Sequence, residues 1–211
     1  MITVLEESKF MVAREFLSQK DAQWIGEDFR KFCKKNKIKS NDDDVPNSQS
    51  VAGYYTFIEQ LCLNVNRVTH YVEEIVLPTY AYGRNYFKGS SLSPHVDRDS
   101  CEISISVHLG GNEDWTIWMK PNETTRVPIE LFPGDAIIYI GNEIVHYREE
   151  YKGEYYTQMF LHYVRSRGPH ANHYFDNVMR EESLCKKLGV EKPKRSKKLD
   201  PLSYDMKGVP R

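Results

Sequence analysis

Cys101-Glu102-Ile103-Ser104-Ile105-Ser106-Val107-His108-Leu109 alternates without a break between apolar and polar side chains. Successive side chains of a strand point to opposite faces, so Cys101, Ile103, Ile105, Val107 and Leu109 share one face and Glu102, Ser104, Ser106 and His108 the other. The apolar face needs a layer of helices to bury it. The polar face would be wasteful inside a barrel unless the interior is a site. Working outward, the same two-residue period begins near Tyr80. Turn residues punctuate it at Gly89-Ser90-Ser91, Gly110-Gly111-Asn112, Pro121-Asn122, Pro133-Gly134-Asp135 and Lys152-Gly153. Strands are predicted at 80–87, 93–97, 101–109, 115–119, 125–131, 136–140, 143–147 and 155–164. Short strands at this spacing point to a double-sheet jelly roll.

Upstream the period is different. Residues 1–17 read as an opening strand or two, and Ser18 with Asp21 forms a capping box. Ala22, Ile25, Phe29, Phe32 and Cys33 then mark an amphipathic helix reaching Asn36. Asn41-Asp42-Asp43-Asp44 and Pro46-Asn47-Ser48 read as a polar loop. A longer helix is predicted on the stripe Tyr54, Ile58, Leu61, Val65, Val68 and Val72, with Pro78 just past its end. The expected fold is mainly β with packed helices, a double-stranded β-helix core flanked by two N-terminal helices. We expect one domain over 1–211: helical support in 1–78, the jelly-roll core in 79–165, and a C-terminal extension with a basic tail in 166–211.

Bulk properties narrow the function. With 211 residues, 40% of them hydrophobic and 12% aromatic, the chain can build one substantial core. A net charge of -1 argues against a general nucleic-acid or membrane-surface binder. Cys33, Cys62, Cys101 and Cys185 lie far apart and read as reduced thiols of an intracellular protein. The start, Met-Ile-Thr-Val-Leu-Glu-Glu-Ser-Lys, is too short and charged for a signal peptide, and no apolar run reaches the length of a membrane span. A cytoplasmic protein is expected, with neither membrane nor nucleic acid as partner. The basic run from Lys186-Lys187 through Lys192, Lys194, Arg195, Lys197 and Lys198 reads as a solvated tail.

The chemistry is carried by Ser93-Pro94-His95-Val96-Asp97-Arg98 and, far downstream, Ile144-Val145-His146-Tyr147-Arg148. Residues two apart share a strand face, so His95 and Asp97 present an imidazole and a carboxylate together. His146 from a neighbouring strand completes a 2-His-1-carboxylate face, the ligand set of non-haem Fe(II) oxygenases, with the opposite coordination positions open. His170 and His173 have the spacing of a helical metal pair, but beside Pro169 in a loop-like segment they are not read as ligands. Trp115 and Trp118 could line a substrate mouth, with at least one of them in the core.

The stretch Tyr86-x-x-Gly89-x-x-Leu92-x-x-His95-x-Asp97-Arg98, followed by the alternating strand, resembles the Fe(II)/2-oxoglutarate-dependent dioxygenases, in the branch of the prolyl 4-hydroxylases. Leu131-Phe132-Pro133-Gly134-Asp135-Ala136 is similar to the turn that precedes that branch's distal histidine, and Val12-Ala13-Arg14-Glu15-Phe16-Leu17-Ser18 to its entry into the first helix. The likeness covers residues 10–165. It implies a hydroxylase in which His95, Asp97 and His146 hold Fe(II), 2-oxoglutarate is the cosubstrate and is decarboxylated to succinate, dioxygen is consumed, and ascorbate can serve as reductant. The substrate would be a prolyl residue of a peptide, a free amino acid or another small molecule. A carboxylate at position 97 favours hydroxylation, since halogenating relatives carry a small residue there. Cosubstrate contacts are expected from Tyr86 and His108.

The pattern departs from the family at one place. The distal carboxylate of 2-oxoglutarate normally meets an arginine or lysine on the strand after the distal histidine, where this chain has Tyr155, Tyr156, Thr157 and Gln158. Arg148, two residues after His146 and on the same face, is the replacement, with Arg84 and Arg165 as further candidates. Two other readings stay open: a cupin-like metal enzyme that does not use 2-oxoglutarate, and a non-catalytic jelly-roll binding module.

Overall fold

The computed structural model describes residues 4–40 and 45–189. Each of the eight predicted strands is present: β3 (Val76–Phe87), β4 (Leu92–His95), β5 (Ile103–Gly111), β6 (Ile117–Lys120), β7 (Val127–Ile129), β8 (Ala136–Ile140), β9 (Val145–Arg148) and β10 (Tyr155–Arg165). Two more join them, β1 (Phe10–Ala13) and β2 (Ser48–Ala52). They form two antiparallel sheets, one of six strands in the order β1-β8-β5-β10-β3-β2 and one of four in the order β4-β9-β6-β7. This is the expected double-stranded β-helix.

The alternation of β5 sorts its side chains as the sequence predicts. Ile103, Ile105, Val107 and Leu109 join Ala22, Ile25 and Phe29 of α2 (Gln19–Lys35) in the main apolar core. Burying each such side chain stabilises the fold by about 1.5–3 kcal/mol. On the opposite face Ser106 looks between the sheets, where Gln158 Nε2 of the neighbouring strand donates to its hydroxyl at 2.7 Å. Helix α2 begins where predicted, with Ser18 Oγ accepting from the Asp21 N–H at 3.0 Å.

Four expectations are corrected. The long second helix is two, α3 (Tyr55–Leu63) and α4 (Val65–Val72), broken at Asn64. Asn64 Nδ2 donates to the Gln60 carbonyl at 2.8 Å and Tyr163 Oη to that of Leu61 at 2.8 Å. Carbonyls satisfied by side chains no longer need a following helical turn. Of the predicted stripe Tyr54, Leu61, Val68 and Val72 are buried, whereas Ile58 is exposed and Phe57 is buried in its stead. Pro78 does not follow a helix but lies within β3, opposite Tyr163 at a register shift where a missing N–H is tolerated. Ser48 of the presumed loop opens β2, which pairs with β3, while 41–44 lie outside the described residues. The opening segment holds a short helix, α1 (Val4–Ser8), before its strand.

The turn before β8 is built around Asp135, whose carboxylate accepts from the N–H groups of Phe132 and Glu15, each at 3.0 Å, and pairs with Arg14. Gly134 adopts φ 98° there, and a Cβ on it would stand 2.5 Å from the Leu17 carbonyl oxygen. After β10 come a kinked 3-10 segment over Ala171–Asp176 and helix α5 (Asn177–Leu188). Lys186 and Lys187 lie in the last turn of α5, and the rest of the basic run lies outside the described residues. No helix among the described residues is long and apolar enough to cross a membrane.

Candidate active site

His95 ends β4 and faces His146 of β9 directly across the antiparallel ladder. Pairing in register brings their ring centroids to 4.3 Å. Each ring is fixed by the carbonyl two residues before it: His95 Nδ1 lies 2.8 Å from Ser93 O, and His146 Nδ1 lies 3.1 Å from Ile144 O. A carbonyl only accepts, so Nδ1 carries the proton in both rings and Nε2 keeps its lone pair. Both Nε2 atoms lie 3.6 Å from the same atom, Asp97 Oδ1. Three donor atoms of metal-ligand type thus converge, with their other polar atoms already engaged.

Asp97 is held by two further contacts. Its N–H donates to the Gly141 carbonyl at 2.8 Å, and its Oδ2 accepts from Ser104 Oγ at 2.8 Å. The Ser104 hydroxyl also has the Cys101 carbonyl within reach at 3.1 Å; carboxylate and carbonyl only accept, so His162 Nδ1, 3.0 Å from the hydroxyl, is the donor to it. His162 is wholly buried, and burial pushes its pKa down to about 4, which keeps the ring neutral. Gly141 closes the group: a Cβ there would stand 2.5 Å from Asp97 Oδ2 and 2.6 Å from Ser104 Oγ. Ser104, Gly141 and His162 were not singled out in the sequence. Only the alternation of β5, which turns Ser104 inward, hinted at any of them.

Burial alone would raise the pKa of Asp97, yet the neighbouring His95 and His146, with the Ser104 hydroxyl, outweigh it and hold the carboxyl below its usual range. For His146, 2% exposed, burial dominates and lowers the pKa, whereas for His95 the hydrogen bonds to Asp97 and Ser93 overcome burial and raise it. Metal takes the imidazoles neutral and the carboxylate ionised: the shifts of His146 and Asp97 favour those states, and at His95 the metal displaces the proton that the raised pKa favours.

The three residues open into a cavity of about 350 Å³ between the sheets, also lined by Tyr86, Ser106, Arg148, Gln158 and Arg84. Arg148 is 2% exposed, and its guanidinium lies over the rings of Trp115 at 4.7 Å and Tyr156 at 5.1 Å. Its Nη1 donates to the Trp115 carbonyl, while Nη2 is buried with no hydrogen-bond partner among the described residues. Arg84 lies on β3 directly opposite Gln158 of β10. Tyr86 is buried with its ring edge-on to Trp115 at 4.9 Å.

Other predicted residues lie elsewhere. His108 does not line the cavity: its ring is stacked on Tyr156 at 4.1 Å and its Nδ1 is 2.8 Å from the Leu131 carbonyl. Arg165 is engaged by Glu102 at 2.8 Å and Glu74 at 3.7 Å, outside the cavity. Trp115 is buried against Arg148, and Trp118 stacks on Tyr147, so neither lines the cavity.

No protein-family model matches the sequence. No curated protein matches it either. Solved structures do. A prolyl-4-hydroxylase from Pseudomonas putida matches with a TM-score of 0.63 at 13% identity, over 78% of this chain and 96% of that one. The Trichoplax adhaerens prolyl hydroxylase, in complex with a hypoxia inducible factor oxygen degradation domain peptide fragment, gives 0.61 at 13% identity over 75% and 85%. HygX from Streptomyces hygroscopicus, with nickel, 2-oxoglutarate and hygromycin B bound, gives 0.59 at 12% identity over 77% and 85%. The fold of this chain is the double-stranded β-helix fold of these proteins.

Proposed function

We propose that the protein is an Fe(II)/2-oxoglutarate-dependent oxygenase that hydroxylates an unactivated C–H bond. The observation that carries this reading is the convergence of His95 Nε2 and His146 Nε2 on Asp97 Oδ1, with both Nδ1 atoms pinned to carbonyls. Two imidazoles and one carboxylate on one face suit Fe(II) and leave the opposite face to exchangeable ligands. The HygX structure with bound nickel and 2-oxoglutarate supports the same assignment. When bound, iron, 2-oxoglutarate and dioxygen supply hydroxylation, with the 2-oxo acid leaving as succinate and carbon dioxide.

The residues of this chain position those partners. Ser104 and His162 hold the Asp97 carboxylate so that Oδ1 faces the histidines. Arg148 presents a buried Nη2 without an acceptor among the described residues, which suits the distal carboxylate of 2-oxoglutarate; Tyr86 lines the same cavity. That donor supplies the cation a 2-oxo diacid needs and is the observation that favours 2-oxoglutarate over cupin-like chemistry. Tyr82, Leu92, Ile117 and Phe160 give the cavity an apolar wall that keeps water from the reacting C–H bond. Peptide and small-molecule substrates are both represented among the proteins of like fold.

The test is anaerobic. Fe(II) and then 2-oxoglutarate are added to metal-free protein, and the weak visible charge-transfer band of a chelated 2-oxo acid is expected. Iron binding without the band would leave the metal site and remove the cosubstrate, turning the reading to a cupin-like enzyme. No iron binding would leave a binding module.

A further inference from the structure

A second group of metal-ligand side chains lies outside the cavity. Asp99 stands in the 3-10 turn Asp99–Cys101 that follows Asp97, and His170 and His173 in the segment after β10. The segment is wound into a 3-10 turn, with the His173 N–H donating to the His170 carbonyl at 2.9 Å, so the two rings stand on one side with centroids 6.2 Å apart. His170 Nδ1 lies 3.6 Å from Asp99 Oδ2, and one donor atom from each of the three residues lies within 4.8 Å of the others. The sequence does not show this, because Asp99 and His170 are far apart in the chain.

Two buried acceptors at this place lack partners among the described residues, His173 Nδ1 and Asn142 Oδ1. Asn142 lies 3.3 Å from His170 Nε2 through its amide nitrogen. Turning the amide over puts Oδ1 against a protonated Nε2, which frees His170 Nδ1 on the Asp99 side and satisfies the orphaned oxygen. His173 Nδ1 has no hydrogen-bond partner among the described residues to engage it, so with the ring proton on Nε2 its lone pair is open to a metal. Arg98, a cation whose charge acts on His173, is already compensated: it pairs with Asp176 at 3.2 Å and lies over the Tyr80 ring at 4.4 Å.

We propose that Asp99, His170 and His173 form a second divalent-metal site, for a borderline transition ion such as Zn²⁺. Imidazole ligands select such ions over Mg²⁺ or Ca²⁺, which prefer oxygen alone. Ligand atoms about 2.1 Å from a tetrahedral ion lie about 3.4 Å apart, so the His170–Asp99 spacing fits and His173 needs only a modest side-chain rotation. The ion would staple the segment after β10 onto the turn that follows Asp97. The site does not depend on the reading of the cavity.

Equilibrium dialysis of the metal-free full chain against Zn²⁺, followed by metal analysis, tests it. The wild type is expected to take two equivalents. One is expected in His170→Ala/His173→Ala, one in Asp97→Ala/His146→Ala, and none in the combined variant. In the Asp97→Ala/His146→Ala background, Zn²⁺ should also slow proteolysis within 168–189, and His170→Ala/His173→Ala should remove that protection. A single equivalent lost with Asp97→Ala/His146→Ala overturns the proposal, as does a second equivalent that survives removal of both His170 and His173, or no binding at all. A single equivalent lost only with His170→Ala/His173→Ala would uphold this site while refuting the cavity triad.

Discussion

The two faces of the six-stranded sheet are made by the same strands and have opposite tasks. On the helix side Ile103, Ile105, Val107 and Leu109 of β5 pack with Phe29, Phe57 and Leu61 in a dry apolar core. On the cavity side Ser104, Ser106, Arg84, Gln158 and His162 are just as buried, yet polar. Burying polar groups costs about 1–3 kcal/mol each unless they are paired. This face therefore consumes stability that the other face supplies, and in return holds groups ready for a ligand. The four-stranded sheet opposite is short and adds His95, His146 and Arg148. Substitutions should separate the two faces: damage to one should cost folding, damage to the other binding.

The largest expected effect is on the cavity side. His146→Ala should abolish metal binding, measured by titration with Ni²⁺ or anaerobic Fe(II), while circular dichroism and the thermal midpoint stay close to wild type. Full retention of metal would refute the triad. On the helix side, Ile105→Ala should destabilise the protein by about 2–5 kcal/mol in denaturant titration. Metal affinity per folded molecule should not change, and a loss there would mean that the two faces are coupled.

Smaller effects sharpen the same contrast. Arg148→Ala removes a charge-assisted contact worth about 1.5–3 kcal/mol, so the 2-oxoglutarate concentration for half-maximal succinate release should rise about 10–100-fold at that cost per tenfold. An unchanged requirement would move the anchor to Arg84. The smallest effect lies at the rim of the sheet. Asp135 is held below the usual carboxylate range: burial opposes this, and the hydrogen bonds from Arg14, Glu15 and Phe132 outweigh it. A depressed carboxylate contributes fully above the unfolded pKa of about 4 and loses its contribution as pH falls through the lower folded value. Asp135→Asn should therefore cost about 1 kcal/mol at neutral pH, and its difference from wild type should vanish in acid. A difference that persists below pH 3 would assign the effect to shape rather than charge.

What each level of description decided can be followed residue by residue. The period of two from Tyr80 onward was enough for eight strands and for the choice of which β5 side chains face the helices, because strand geometry fixes faces from spacing alone. The spacing of His95 and Asp97, with the Pro133-Gly134-Asp135 turn ahead of His146, was enough to nominate the triad. Local pattern failed where a distant partner set the outcome: Tyr163 reaches the Leu61 carbonyl at the helix break, and β3 recruits Ser48–Ala52 as an edge strand. It failed likewise at His108, whose inward parity was read correctly but whose neighbour Tyr156 stacks over it. Tertiary structure alone decided that Gly141 leaves room for the Asp97 carboxylate, that His162 orients it through Ser104, and that Asp99 meets His170. Those contacts join residues far apart in sequence, and no periodicity encodes which loop will lie across which strand. Spacing along a strand determines direction; only closure of the two sheets determines distance.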